Sequence, residues 1–351
     1  MRLVDQIAQC RTPFIVQSLI DHRFTRLNGA ADCAGDVVQC PIRYVLSDDL
    51  TRLCTALAYS KGARHLACAD LLRVPARRVW IEWCNAAWLT ELSVYGFKAD
   101  ETPGAASGRR GALVQASPEG RSGTIRTFWN CGESGLDVLA SSMEAYFDLD
   151  TEDGEVPEVP DNQGGRALCV VDGANQDADI LRRCFRFRFE RSWADYYERA
   201  MLSCDREQAL AHHALGTIAP HIPMLLAFFL LLSTRTGLPR RTQALERINR
   251  SRARTGKAAL LDHIEVLSPL SRDCFSPGGN GFTSVRRAPR LHHVRGHLVR
   301  HGSQLFWRVP HLRGNARSGI VHTRTVTWTI DRPTHRSNGP MRAAVDQVAP
   351  P

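Results

Sequence analysis

Val79-Trp80-Ile81-Glu82-Trp83 puts a sheet in this chain. Four of the five residues are β-branched or aromatic, the side chains that pack best on a pleated surface. Ala112-Leu113-Val114 and Thr124-Ile125-Arg126-Thr127-Phe128-Trp129 have the same character, and Gly and Pro clusters separate the runs. Upstream, Ser47-Asp48-Asp49-Leu50 has the form of a helix start, since a small hydroxyl residue followed by acids suits the exposed N–H groups and the positive dipole end. Leu50, Leu53, Cys54 and Leu57 then recur at helical spacing, which predicts a helix over 48–60.

The fold class expected is therefore α+β: an N-terminal β-containing region, central helices and a small C-terminal antiparallel sheet. Residues 1–150 form the mixed N-terminal region. Seven acids interleaved with Gly154, Pro157 and Pro160 between Asp148 and Asp161 cannot bury enough apolar surface to order themselves, so 151–176 is read as an acidic loop and boundary. From 177 to 270 the pattern is helical, with an apolar run, Ile222 to Leu232, stopped by Gly237 and Pro239. Residues 271–289, containing Pro277-Gly278-Gly279-Asn280-Gly281, read as a flexible linker. Alternation in 290–330 predicts a small basic β region, and 331–351 a disordered tail.

With 351 residues, 43% apolar and 23% charged, the chain is long enough for two cores or one large one. No signal-peptide pattern opens it, because Asp5, Gln6, Gln9 and Arg11 interrupt every apolar run. The apolar run at 222–232 is too short to span a bilayer, which takes about 20 residues, so it is read as a buried helix with no membrane partner. Eleven cysteines without a C-x-x-C pair point to free thiols in a reducing cytosol. The net charge of +9 is concentrated: residues 271–351 hold 13 Arg, no Lys and 3 Asp, hence +10, and seven of the 13 histidines. Such a field favours polyanions, and arginine favours forked contacts to phosphate or carboxylate.

Two segments carry a resemblance. One is Arg247-Ile248-Asn249-Arg250-Ser251-Arg252-Ala253-Arg254-Thr255-Gly256-Lys257 leading to Leu260-Leu261-Asp262-His263; the other is Arg290-Leu291-His292-His293-Val294-Arg295-Gly296-His297-Leu298-Val299-Arg300, followed by Trp307 to Gly314. Together they resemble uncharacterised proteins of bacteriophages and prophages with an N-R-x-R-x-x-x-G-K-x-P-L segment, a Gly/Ser-rich spacer and an L-H-x-R-R-G-H-x-R strand pair. Ala259 and Val294 depart from that pattern. The likeness covers roughly residues 240–325 and implies a phage or prophage origin, in a bacterial cytoplasm, with no activity attached.

Arg240, Arg241, Arg247, Arg250, Arg252, Arg254 and Lys257 stand against a single acid, Glu246. A stretch this basic suits a phosphate backbone, and equally a solvated helix face beside the acidic loop. Arg295, Arg300, Arg308 and Arg313 with His297 could form an anion site on neighbouring strands, and histidine beside arginine is the equipment of metal-independent ribonucleases. His293, His297 and His301 recur at a spacing of four, yet no Cys, Asp or Glu lies between Cys274 and Asp331 to complete a mixed metal site, so no metal and no cofactor is expected. Phe185-Arg186-Phe187-Arg188-Phe189 would present rings and guanidinium groups to single-stranded nucleic acid as a strand; core packing is the preferred reading.

Phosphate-loop, zincin, dinucleotide-binding and nucleophile-elbow signatures are absent. The function expected is a phage or prophage accessory protein that binds DNA or RNA through Arg250, Arg252, Arg254, Lys257, Arg295, Arg300, Arg308 and Arg313. The alternatives are a protein-interaction or virion-associated module that binds an acidic protein, and a ribonuclease built on His297.

Overall fold

The computed structural model describes residues 2–9, 15–17, 24–26, 30–59, 69–95, 108–131, 137–151, 184–189, 217–235, 237–243, 245–269, 290–294, 297–302, 304–308, 311–313 and 315–320. The acidic loop, the linker and the tail expected from the sequence lie outside these residues, apart from Thr151.

Helix α1 (Leu3–Gln9) is followed by strands β1 (Ile15–Gln17) and β2 (Phe24–Arg26), helix α2 (Ala30–Val38), strand β3 (Ile42–Leu46), helix α3 (Asp48–Tyr59), strand β4 (Arg78–Cys84) and helix α4 (Asn85–Val94). Then come β5 (Arg109–Ala116), β6 (Ser122–Cys131), β7 (Asp137–Asp148), β8 (Phe185–Phe189), helix α5 (Ile222–Leu232), β9 (Arg240–Gln243), helix α6 (Glu246–Arg254) and β10 (His263–Val266). All these strands join one mixed sheet in the order β2-β1-β7-β6-β5-β4-β3-β10-β9, with β8 also paired to β7. β4 to β8 make an antiparallel meander, while β3 runs parallel to both β4 and β10.

The helix start at Ser47 is where the sequence put it: Ser47 Oγ accepts from the Leu50 N–H at 3.3 Å, and α3 buries Leu50, Leu53, Cys54 and Leu57. The central stretch differs from expectation, since β8, β9 and β10 all fall within residues 177–270. Period-two alternation in Phe185-Arg186-Phe187-Arg188-Phe189 meets the free side of β7, and that pairing makes it a strand. Its aromatic rings enter the core, as preferred, and both arginines are buried as well: Arg188 donates through Nε and a terminal nitrogen to Glu144, at 3.0 and 2.6 Å. A platform for stacking bases is thereby ruled out at this strand.

Helices cover both faces. On one, α3, α4 and α5 pack with Val79, Ile81, Trp83, Ala112 and Val114 in a core that also takes in β8. α5, apolar on all sides, is buried from Ile222 to Leu231. Among the described residues no helix is long and apolar enough to cross a membrane. On the other face Leu3, Val4, Ile7 and Val37 of α1 and α2 close over Trp80, Leu113 and Phe128. Gly111 lies opposite Glu82, where a Cβ would strike the Trp80 ring.

The C-terminal β region contains an antiparallel hairpin, β12 (His297–His301) with β13 (Gln304–Arg308). In a separate small sheet β11 (Arg290–Val294) pairs antiparallel with β14 (His311–Arg313) and parallel with β15 (Asn315–Ile320). The hairpin shares the large core: Leu305 and Trp307 are 4% and 5% exposed and belong to the cluster that contains α5.

Candidate nucleic-acid interface

α6 is a helix without a buried residue. Most surface helices owe their stability to an apolar stripe against the core, so something else must hold this one. Leu245, 7% exposed, seats its start, and the Leu245 N–H reaches Asp262 Oδ1 at 3.4 Å. Asn249 then fastens the helix to the returning chain, with Nδ2 donating to Leu260 O at 2.9 Å and Oδ1 accepting from the Leu260 N–H at 2.8 Å. Arg252 Nε donates to Ala258 O at 2.7 Å. Gly256, at φ 68, turns the chain at the helix end, where the N–H groups of Thr255 and Lys257 close on Arg252 O. The Leu261 N–H continues to Asp5 Oδ1 at 2.8 Å, which ties the base of the arm to α1.

These bonds sort the basic motif into two sets. Asn249, Arg252 and Gly256 build the arm. Arg247, Arg250, Arg254 and Lys257 are exposed, and none of the described carboxylates lies within ion-pairing distance of them. At 3.6 residues per turn, Arg247, Arg250 and Arg254 fall within roughly 60° of arc, on the side of the helix opposite Asn249 and Arg252. Arg240 and Arg241 stand exposed on β9, the last strand in the sheet order among the described residues.

The second basic group is divided. Arg295 lies outside the described residues. Arg300 is engaged with Asp70 at 2.7 Å and through Nε with Gly302 O at 3.0 Å, a contact that docks the hairpin onto the short helical turn Ala69–Leu71. His297 is exposed and lies opposite Arg308 across the hairpin. Residues three apart on a strand take opposite faces, so His297 and Arg300 do not converge on one phosphate. Arg313 is exposed on β14, in register with His292. His297 and His301 share a face of β12, whereas His293 belongs to β11. No group of three or more His, Cys, Asp or Glu gathers for a metal ion among the described residues.

Two polar clusters inside the fold escaped the sequence reading. Glu82 is fully buried, accepts from the N–H groups of Leu3 and Val4 at 3.0 and 3.1 Å and from Trp80 Nε1 at 3.3 Å, and pairs with Arg109. A carboxylate in the middle of a β-forming run was the available signal. On the opposite face the Arg110 guanidinium stacks between Trp88 and Trp129, donates to Asn85 Oδ1 at 2.7 Å and meets His221 Nε2 at 3.0 Å. An arginine can only donate, so His221 carries its proton on Nδ1, and that buried N–H has no hydrogen-bond partner among the described residues. Burial, with Arg110 beside it, holds the His221 pKa well below its ordinary value. This cluster braces α4, β5, β6 and the turn that leads into α5; no sequence pattern links residues 85, 110 and 221.

Compared with protein-family models, with curated proteins and with solved structures, the chain matches none.

Proposed function

We propose that the protein binds nucleic acid through α6 and the loop that returns from it. The observation that carries this reading is a helix that buries nothing yet is fixed at both ends, with Arg247, Arg250 and Arg254 pointing away from its anchors. Fold stability gives no reason for three arginines on that face, because like charges on one stripe repel and weaken an isolated helix. Phosphate gives one: each neutralised phosphate releases counterions. The resemblance to phage and prophage proteins rests on this segment together with residues 290–314, so an accessory role in the cytoplasm of a bacterial host is the setting proposed.

The test is binding of mixed-sequence DNA and RNA at about 50 and 200 mM salt. The wild type should bind at the lower salt and weaken steeply at the higher. Replacing Arg247, Arg250 and Arg254 together with Ala should remove most of the binding while leaving the melting temperature near that of the wild type. Absence of binding at low salt, with capture of an acidic protein instead, would replace this reading with the protein-interaction one.

A further inference from the structure

We infer that the nucleic acid taken by α6 is duplex DNA and that the helix enters its major groove; this rests on the nucleic-acid reading above. Three features of the arm point there. The first is size: a nine-residue helix is about 13 Å long and, with side chains, about 10–12 Å across, and the major groove of B-form DNA is about 12 Å wide and 8.5 Å deep. The second is clearance, since every residue of α6 except Asn249 and Arg252 is exposed, and those two face the returning chain. A wall of phosphates can therefore pass on both flanks of the arginine stripe.

The third is the side-chain pattern. Ser251 on one side of the stripe and Ala253 on the other are small and exposed, and the long exposed side chain of Glu246 borders the stripe only in the first turn, so the C-terminal half of the helix can sink toward the base edges. Arginine forks fit the O6 and N7 acceptors of guanine, the commonest specific contact in that groove, and Lys257 beyond Gly256 remains for the backbone. A-form RNA has a deep, narrow major groove closed to such a helix, and a single strand has no groove. A purely backbone-tracking surface would hold all three alike.

The experiment uses the full chain and three probes of one mixed sequence: a DNA duplex, the matching RNA duplex and one DNA strand, at low salt. The DNA duplex should bind at least about tenfold more tightly than the other two, in keeping with the discrimination that groove contacts supply. Methyl green, which occupies the major groove, should displace the protein; netropsin, a cation of the minor groove, should not. Affinity for the RNA duplex or the single strand equal to that for the DNA duplex, or displacement by netropsin alone, overturns groove entry and leaves the nucleic-acid reading standing. Failure to bind any of the three overturns both.

Discussion

Asn249 grips Leu260 through both ends of its amide, donating to the carbonyl at 2.9 Å and accepting from the N–H at 2.8 Å. Only Asn and Gln side chains present a donor and an acceptor in this way, and Gln is longer by one methylene. Asn249→Asp keeps the acceptor and turns the donor into a charge facing a carbonyl. The arm should open while the sheet stays intact: global stability falls by about 1 kcal/mol or less, whereas trypsin cleavage after Arg254 and Lys257 rises several-fold. A resistant arm in the variant would show that its other anchors, Leu245, Arg252 and the Leu261–Asp5 bond, hold it without Asn249.

Glu82 performs the same service for α1 on a larger scale. A seven-residue helix has little stability of its own, and its first N–H groups end on a fully buried carboxylate that also faces Arg109. Glu82→Gln removes the charge, leaves Arg109 uncompensated and turns an amide N–H toward donors. The expected cost is about 3 kcal/mol, the lower end for breaking a buried pair because Arg109 is partly exposed. Amide exchange in residues 3–9 should accelerate most; uniform acceleration across the sheet would show that Glu82 supports the whole core instead.

The parts of this fold that are legible in the sequence are those fixed by local chemistry. Ser47 and the leucine spacing after it place α3, and β-branched and aromatic runs place β4, β5 and β6. β8 and β10 were hidden because their strand character comes from a neighbour: β8 needs β7, and β10 needs β3, which lies more than 200 residues earlier in the chain. At the candidate site the sequence exposed the charge of 247–257 but not its division of labour. Arg252 and Arg250 look alike in a motif, and only the position of Ala258 separates an anchor from a cation with no ion-pair partner among the described residues.

Arg300 illustrates the same limit and allows a separate test of how the hairpin is docked. Its pair with Asp70 is about half exposed on both sides, and such pairs contribute little, about 0–1 kcal/mol. Leu305 and Trp307 belong to the core, where Leu→Ala costs about 2–5 kcal/mol. Asp70→Ala should leave the unfolding midpoint nearly unchanged and Leu305→Ala should lower it clearly. If Asp70→Ala proves as destabilising as Leu305→Ala, the salt bridge fastens the hairpin as strongly as the apolar contact does.

His221 sets a pH dependence whose sign follows from its surroundings. Burial removes the water that would solvate an imidazolium, and Arg110 repels the added charge, so the folded pKa lies well below 6.5. In the unfolded chain the imidazole titrates near its ordinary value. Between that value and the folded one, the unfolded state holds more protons, so stability is full above pH ~6.5 and declines as pH falls, by up to about 1.4 kcal/mol per unit. Asp5 works in the opposite direction at lower pH, since burial raises its carboxyl pKa. Comparison with His221→Gln cancels that contribution and keeps an oxygen to accept from Arg110. Denaturant titrations from about pH 7.5 to 5.5 should find the wild type the more stable at the upper end, with the gap closing below pH ~6.5. A gap that stays constant across the range would mean that His221 is not held neutral by its burial against Trp83, Trp88 and Arg110.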